Sequence, residues 1–92
     1  MKTKTILLTG TSGFIGKIFL KNALYNGYNV LDILRKKNKN DKELKSLKKK
    51  YNQKYNTIFY SRFEEINNKL KNKKIDYFIN FATLYKNSHK QD

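Results

Sequence analysis

The spacing of apolar residues changes period repeatedly along this chain, and each change marks an element. Ile6-Leu7-Leu8 is unbroken apolar sequence in a polar surround. Such a run suits a strand covered on both faces of a parallel sheet, and predicts a first strand over 3–9. From Gly13 to Asn26 the spacing becomes helical. Ile15, Ile18, Phe19 and Ala23 form the predicted core stripe, with Lys17 and Lys21 at the wet edge. Asn26-Gly27 stops this helix, with Gly27 placed for a left-handed cap. A second strand follows over 28–34, where Asp32 is an odd polar residue among Val30, Leu31, Ile33 and Leu34. Leu44, Leu47 and Tyr51 predict a short helix over about 41–51. A third strand covers 57–60. Ser61-Arg62-Phe63-Glu64 matches a capping box, opening a helix with Phe63, Ile66 and Leu70 as its stripe and ending at Asn72-Lys73-Lys74. A fourth strand covers 75–81, and 84–92 is polar.

The order is therefore βαβ(α)βαβ. Each connection is long enough for a right-handed crossover, so the strands pair in parallel. The expected class is α/β, a doubly wound parallel sheet of four strands in the order 3-2-1-4. That order reverses between strands 1 and 4. A ligand crevice then lies outside their carboxyl ends, between the stretch Gly10 to Gly16 and the stretch Phe81 to Thr83.

The chemistry of the first of these stretches is specific. Gly10, Gly13 and Gly16 follow a strand and open a helix in a G-x-x-G-x-x-G pattern. The first glycine lets the chain turn off the strand, the second lets a pyrophosphate approach bare backbone, and the third lets the helix pack closely. The unpaired N–H groups of the first helical turn, at the positive end of the helix dipole, suit a phosphate. A structural glycine turn is the competing reading, since glycine turns after strands are common.

Composition changes this picture little. The 92 residues hold 21 basic and 7 acidic side chains, a net charge of +14, with no Cys, Pro or Trp. At this length the chain is at most one small domain, where a complete dinucleotide domain with a substrate region needs roughly twice as much. Lys and Asn fill about a third of it, as AT-rich coding would produce. The alternative is attraction to nucleic acid, centred on Arg35 to Lys54, where ten basic residues face only Asp41 and Glu43. Lysines spread over several segments, with few Arg to make bidentate contacts, favour compositional drift. Without Cys there is neither a disulfide nor a thiolate metal site. The N-terminus has no signal-peptide pattern, and no run approaches the ~20 apolar residues of a membrane span, so a cytoplasmic protein is expected. His89 has no partner acid at useful spacing, and Glu64 with Glu65 suits a helix start.

Thr9-Gly10-Thr11-Ser12-Gly13-Phe14-Ile15-Gly16 resembles the TGxxGFIG fingerprint of extended short-chain dehydrogenase/reductases, the NAD(P)-dependent nucleotide-sugar epimerase/dehydratase family. Asn80-Phe81-Ala82-Thr83-Leu84-Tyr85 is similar to the family's stretch after its fourth strand. The resemblance implies an incomplete Rossmann-type domain over 1–92. Its NAD(P) contacts would come from Gly10, Ser12, Gly13, Phe14, Ile15, Gly16, Phe81, Ala82 and Thr83. The residue ending the second strand would meet the adenosine ribose. That position is Leu34 and not Asp32, and the basic Arg35 next to it favours NADP over NAD. The competing reading is that Arg35 only begins a solvated loop. Ser61 falls where the family usually has an acid that meets adenine, a departure that weakens this contact. Relatives also carry a Tyr-x-x-x-Lys catalytic pair, with tyrosinate as base. No such pair occurs here. The resemblance places it beyond residue 92, together with the part that binds a nucleotide-diphosphate sugar. The expected partner is thus the dinucleotide, with a nucleotide-diphosphate sugar only where that part is supplied; a non-catalytic nucleotide-binding subunit is a further alternative. The unpaired edge of the fourth strand invites self-association.

Overall fold

A computed structural model describes residues 3–81. Its elements are β1 (Thr5–Thr9), α1 (Phe14–Tyr25), β2 (Asn29–Arg35), α2 (Lys42–Lys50), β3 (Tyr55–Tyr60), α3 (Glu64–Leu70) and β4 (Tyr77–Asn80), with a short 3-10 turn at Lys36–Asn38. The four strands form one parallel sheet in the order β3-β2-β1-β4. Leu8 lies opposite Asp32 on one side and Ile79 on the other, and Asp32 in turn lies opposite Thr57. The expected α/β class, strand order and parallel pairing hold.

Alternation along the strands sorts the core into two layers. Ile6, Leu8, Val30, Leu34 and Tyr55 point to one face, where Leu20, Ala23 and Leu24 of α1 and Leu44 and Leu47 of α2 cover them. Leu7, Leu31, Ile33 and Ile58 point to the other, where Ile66 and Leu70 of α3 and Ile75 pack. β1 and β2 are apolar on both sides because both sides are covered.

Several local expectations need correction. The buried face of α1 is Gly16, Leu20, Ala23 and Leu24. Ile15 and Ile18 are exposed, and Phe19 is half-buried. Close contact of Gly16 with the turn sets the rotation of the helix, so the residues one and two turns on from Gly16 face the sheet. Ser61 is not a helix cap. α3 starts later, and Glu65 in place of Glu64 reaches back, accepting from the N–H groups of Ser61 at 2.7 Å and Arg62 at 3.3 Å. Those two bonds hold the Glu65 carboxyl below its usual range. Phe63, placed in the core stripe, is exposed and stacks on Tyr60 at 5.6 Å between ring centroids. β3 begins two residues earlier than expected, at Tyr55, a fully buried side chain.

The predicted α2 is present, capped by Asp41, whose carboxylate accepts from the Leu44 N–H at 3.1 Å. Lys17 of α1 bonds Asp41 at 2.9 Å and Glu43 at 3.5 Å, and Lys21 also reaches Glu43. The Asp41 bond raises the Lys17 pKa against its partial desolvation. For Asp41, desolvation pulls upward, but Lys17 and the backbone donors outweigh it and lower the value. These pairs clamp α1 to α2 on one side, and Phe14, Ile15, Ile18 and Tyr25 are left exposed elsewhere on α1.

Candidate nucleotide site

The three glycines of the turn meet three different demands. Gly10 has φ 82°, left-handed backbone that L side chains resist. Gly16 sits so close to the turn that a Cβ there would lie 2.2 Å from the Gly10 carbonyl oxygen and 2.9 Å from the Thr11 Cα. Gly13 is the N-cap of α1, with an extended backbone (φ −90°, ψ 169°) open to any residue. Its Cβ would touch only the Gly10 oxygen, at an ordinary 3.6 Å. The fold therefore needs Gly10 and Gly16 for itself and has no internal use for Gly13. No side chain caps α1, and its first turn holds no acid. The amide dipoles at that end face outward uncompensated.

The turn is anchored from below. Thr11 is fully buried, and its Oγ1 donates to Asp32, 2.6 Å from Oδ2 and 2.8 Å from Oδ1. The Tyr55 hydroxyl donates to Asp32 Oδ2 at 2.6 Å. Asp32, itself 0% exposed, occupies the middle of the α1/α2 face of the sheet. Desolvation pushes its pKa up to about 6, partly offset by the two hydroxyl donors. Burial, then the Asp32 charge, pushes the Tyr55 hydroxyl far above its usual value. Sequence reasoning noticed Asp32 only as an anomaly and missed Thr11 and Tyr55. One signal was available, an acid at an inward position of a strand, which requires buried partners.

The tips of β1 and β4 adjoin, as the crevice requires. Thr9 lies opposite Asn80, their side chains are hydrogen bonded, and the Phe81 N–H donates to the Thr9 carbonyl at 2.9 Å. The Phe81 ring packs on Phe19, 5.3 Å between centroids, so it braces α1 on β4. Ser12, Phe14 and Ile15 are exposed beside Gly13. Arg35 is exposed at the carboxyl end of β2, opposite Tyr60, and Ser61 directly follows β3. All these positions share the carboxyl edge of the sheet. Ala82 and Thr83 lie outside the described residues. A concavity lies at the opposite edge, lined by Ile6, Phe19, Asn26, Tyr28 and Tyr77. An open turn at a sheet edge is shallow until something lies across it, so that concavity does not compete as the site. Among the described residues, no group of three or more His, Cys, Asp or Glu side chains could hold a metal, and no helix is long and apolar enough to cross a membrane.

A glycine turn between strand and helix at the point where the strand order reverses defines a dinucleotide-type α/β fold. The chain belongs to the NAD dependent epimerase/dehydratase family, whose model matches residues 6–92. A search of curated proteins gave no match. Among solved structures, one described as a 3-oxoacyl-reductase from Bacillus thuringiensis is similar in fold, with a TM-score of 0.65 and 20% identity. The match covers 88% of this chain but 36% of that one, so this chain spans about a third of its neighbour's length.

Proposed function

We propose that this chain is the N-terminal, cofactor-binding portion of a nucleotide-sugar epimerase, dehydratase or reductase. It takes the pyrophosphate of NAD(P) on the turn from Gly10 to Gly16. The observation that carries this reading is the contrast among the glycines. Gly13 alone lacks a structural reason to be glycine, and it stands at the bare amino end of α1. A pyrophosphate lying against it supplies the reason.

The remaining contacts follow from position. Gly10, Ser12, Phe14, Ile15 and Gly16 frame the pyrophosphate. Phe81 lines the second wall, and the family resemblance, not position, adds Ala82 and Thr83 to it. Arg35, at the tip of β2, meets the 2′-phosphate and favours NADP, and Ser61 stands near adenine. The cofactor would supply the hydride chemistry; these residues bind and orient it. The sugar half and the Tyr-x-x-x-Lys pair are absent from these 92 residues, so the chain alone binds without turnover.

Calorimetric titration with NADP+ and NAD+ tests this reading. The wild-type chain binds both, NADP+ more tightly. Gly13→Val, which fits the backbone conformation, keeps the fold and loses both. Arg35→Ala narrows the preference. Undiminished binding by Gly13→Val would overturn the reading. The same titration with duplex and single-stranded nucleic acid at two salt concentrations covers the alternative, in which binding is salt-steep and indifferent to Gly13.

A further inference from the structure

A carboxylate in the middle of an apolar layer is an expensive way to fill space, because a leucine there would bring no desolvation cost. Asp32 occupies such a place between Val30 and Leu34, under α1 and α2. Its two partners come from opposite directions. Tyr55 rises from β3 and fixes one oxygen, while Thr11 descends from the glycine turn and bridges both. Neither partner is a cation, so the group does not read as a buried ion pair. The cluster leaves no buried polar side-chain atom unsatisfied among the described residues.

Its effect falls on the turn. Thr11 lies between Gly10, whose left-handed φ bends the chain away from β1, and Ser12-Gly13, whose amides open α1. The Gly13 N–H bonds back to the Gly10 carbonyl at 3.2 Å, so residues 10–13 form one small unit. Thr11 is the one side chain of that unit sunk into the core. We propose that Asp32 is a positioning residue for the nucleotide site: by gripping Thr11 against Tyr55, it sets the direction of the turn's amides toward the cofactor pyrophosphate. This proposal rests on the NAD(P) reading above.

The arrangement has a protonation limit. Two hydroxyl hydrogens already point at the carboxylate. A proton on Asp32 Oδ1 removes the 2.8 Å half of the Thr11 bridge, so Thr11 is left to share Oδ2 with Tyr55, and the grip on Thr11 loosens. The other ionisable groups on this face are engaged elsewhere. Lys17 and Lys21 of α1 pair with Asp41 and Glu43 at the start of α2. Lys48 of α2 donates to the Asn52 and Tyr55 carbonyls. β1 brings only the apolar Leu8 opposite Asp32.

Two measurements on the full 92-residue chain test the proposal. In amide NMR spectra, the Thr11, Ser12 and Gly13 signals should move together through one step as pH falls from 7.5 to 5. The step should vanish in Asp32→Asn and shift to higher pH in Tyr55→Phe, which removes a donor that favours the carboxylate. In calorimetry, NADP+ affinity should fall roughly tenfold below the step. Asp32→Asn should bind about tenfold more weakly at pH 7.5 and show no step. Thr11→Val, nearly isosteric, should copy Asp32→Asn if the latter folds poorly. The proposal is overturned if the wild-type amides show no step, if the step survives in Asp32→Asn, or if both variants bind NADP+ with the wild-type profile. A wild-type chain that binds no dinucleotide at any pH overturns the cofactor reading instead, and the amide titration alone then decides whether Asp32 sets the turn.

Discussion

Gly16 packs onto Gly10 with no room for a methyl group, since a Cβ on Gly16 would fall 2.2 Å from the Gly10 carbonyl oxygen. Backbone lies on both sides of that contact, so neither can yield cheaply. Gly16→Ala should destabilise the chain by about 3 kcal/mol or more, whereas Gly13→Ala should stay within about 0.5 kcal/mol of wild type. Urea denaturation of the two variants checks the ordering, and equal stabilities would refute it.

The same contact explains where sequence reasoning succeeded and where it failed. The strand order was readable because Ile6-Leu7-Leu8 and Val30 to Leu34 are doubly apolar and each crossover has one allowed hand. The rotation of α1 was not. Stripe reading favours large residues such as Ile15 and Ile18, but the smallest residue, Gly16, makes the closest approach and turns Leu20 and Leu24 inward. The partners of Asp32 were hidden for another reason. They are 21 and 23 positions away from it, and nothing local links Thr11 to Tyr55. The cap of α3 slipped by a residue because Glu64 and Glu65 are both acids, and only geometry tells which one folds back.

Asp32 should give an unusual pH signature. Its folded pKa of about 6 lies above the ordinary 3.8, so the folded state holds this proton more tightly than the unfolded state does. Its contribution to stability is therefore greatest below about pH 4 and is lost as pH rises to about 6, by on the order of 3 kcal/mol. Glu65 and Asp41, with depressed values, pull the other way. The difference between wild type and Asp32→Asn isolates the term. The variant should be most damaging at pH 4 and least damaging at pH 7.5, as chemical denaturation at both pH values would show. A pH-independent difference would remove the basis for the assigned protonation.

The α1–α2 clamp should be unequal in its two halves. Asp41 caps α2 and also pairs with Lys17, so Asp41→Ala loses both contacts and should cost about 2 kcal/mol. Lys17→Met keeps the cap and most of the aliphatic packing, and should cost about 0.5 kcal/mol, less in high salt. A double-mutant cycle measured by denaturant melts would separate the cap from the pair. If Lys17→Met proved the more damaging, that division would be wrong.

Self-association is expected at the β4 side. Tyr77 and Phe78 are 50% and 61% exposed, and among the described residues β4 pairs only with β1. α1 also leaves Ile18 43% exposed. Light scattering should show mass rising with concentration despite the +14 charge, and Phe78→Lys should reduce it. The isolated chain should melt broadly, below ~65 °C. A strictly monomeric chain with a sharp transition above that temperature would contradict this.

The bond from Thr9 to Asn80 spans 71 positions, because the last strand described inserts beside the first. During synthesis, β1 and β2 can assemble early, yet one flank of β1 stays bare until nearly all of these residues have left the ribosome. Chains of this topology should reach the native state slowly. Their most vulnerable moment to proteases and to wrongly paired neighbours is that interval, before Tyr77 to Asn80 arrives to close the central strand.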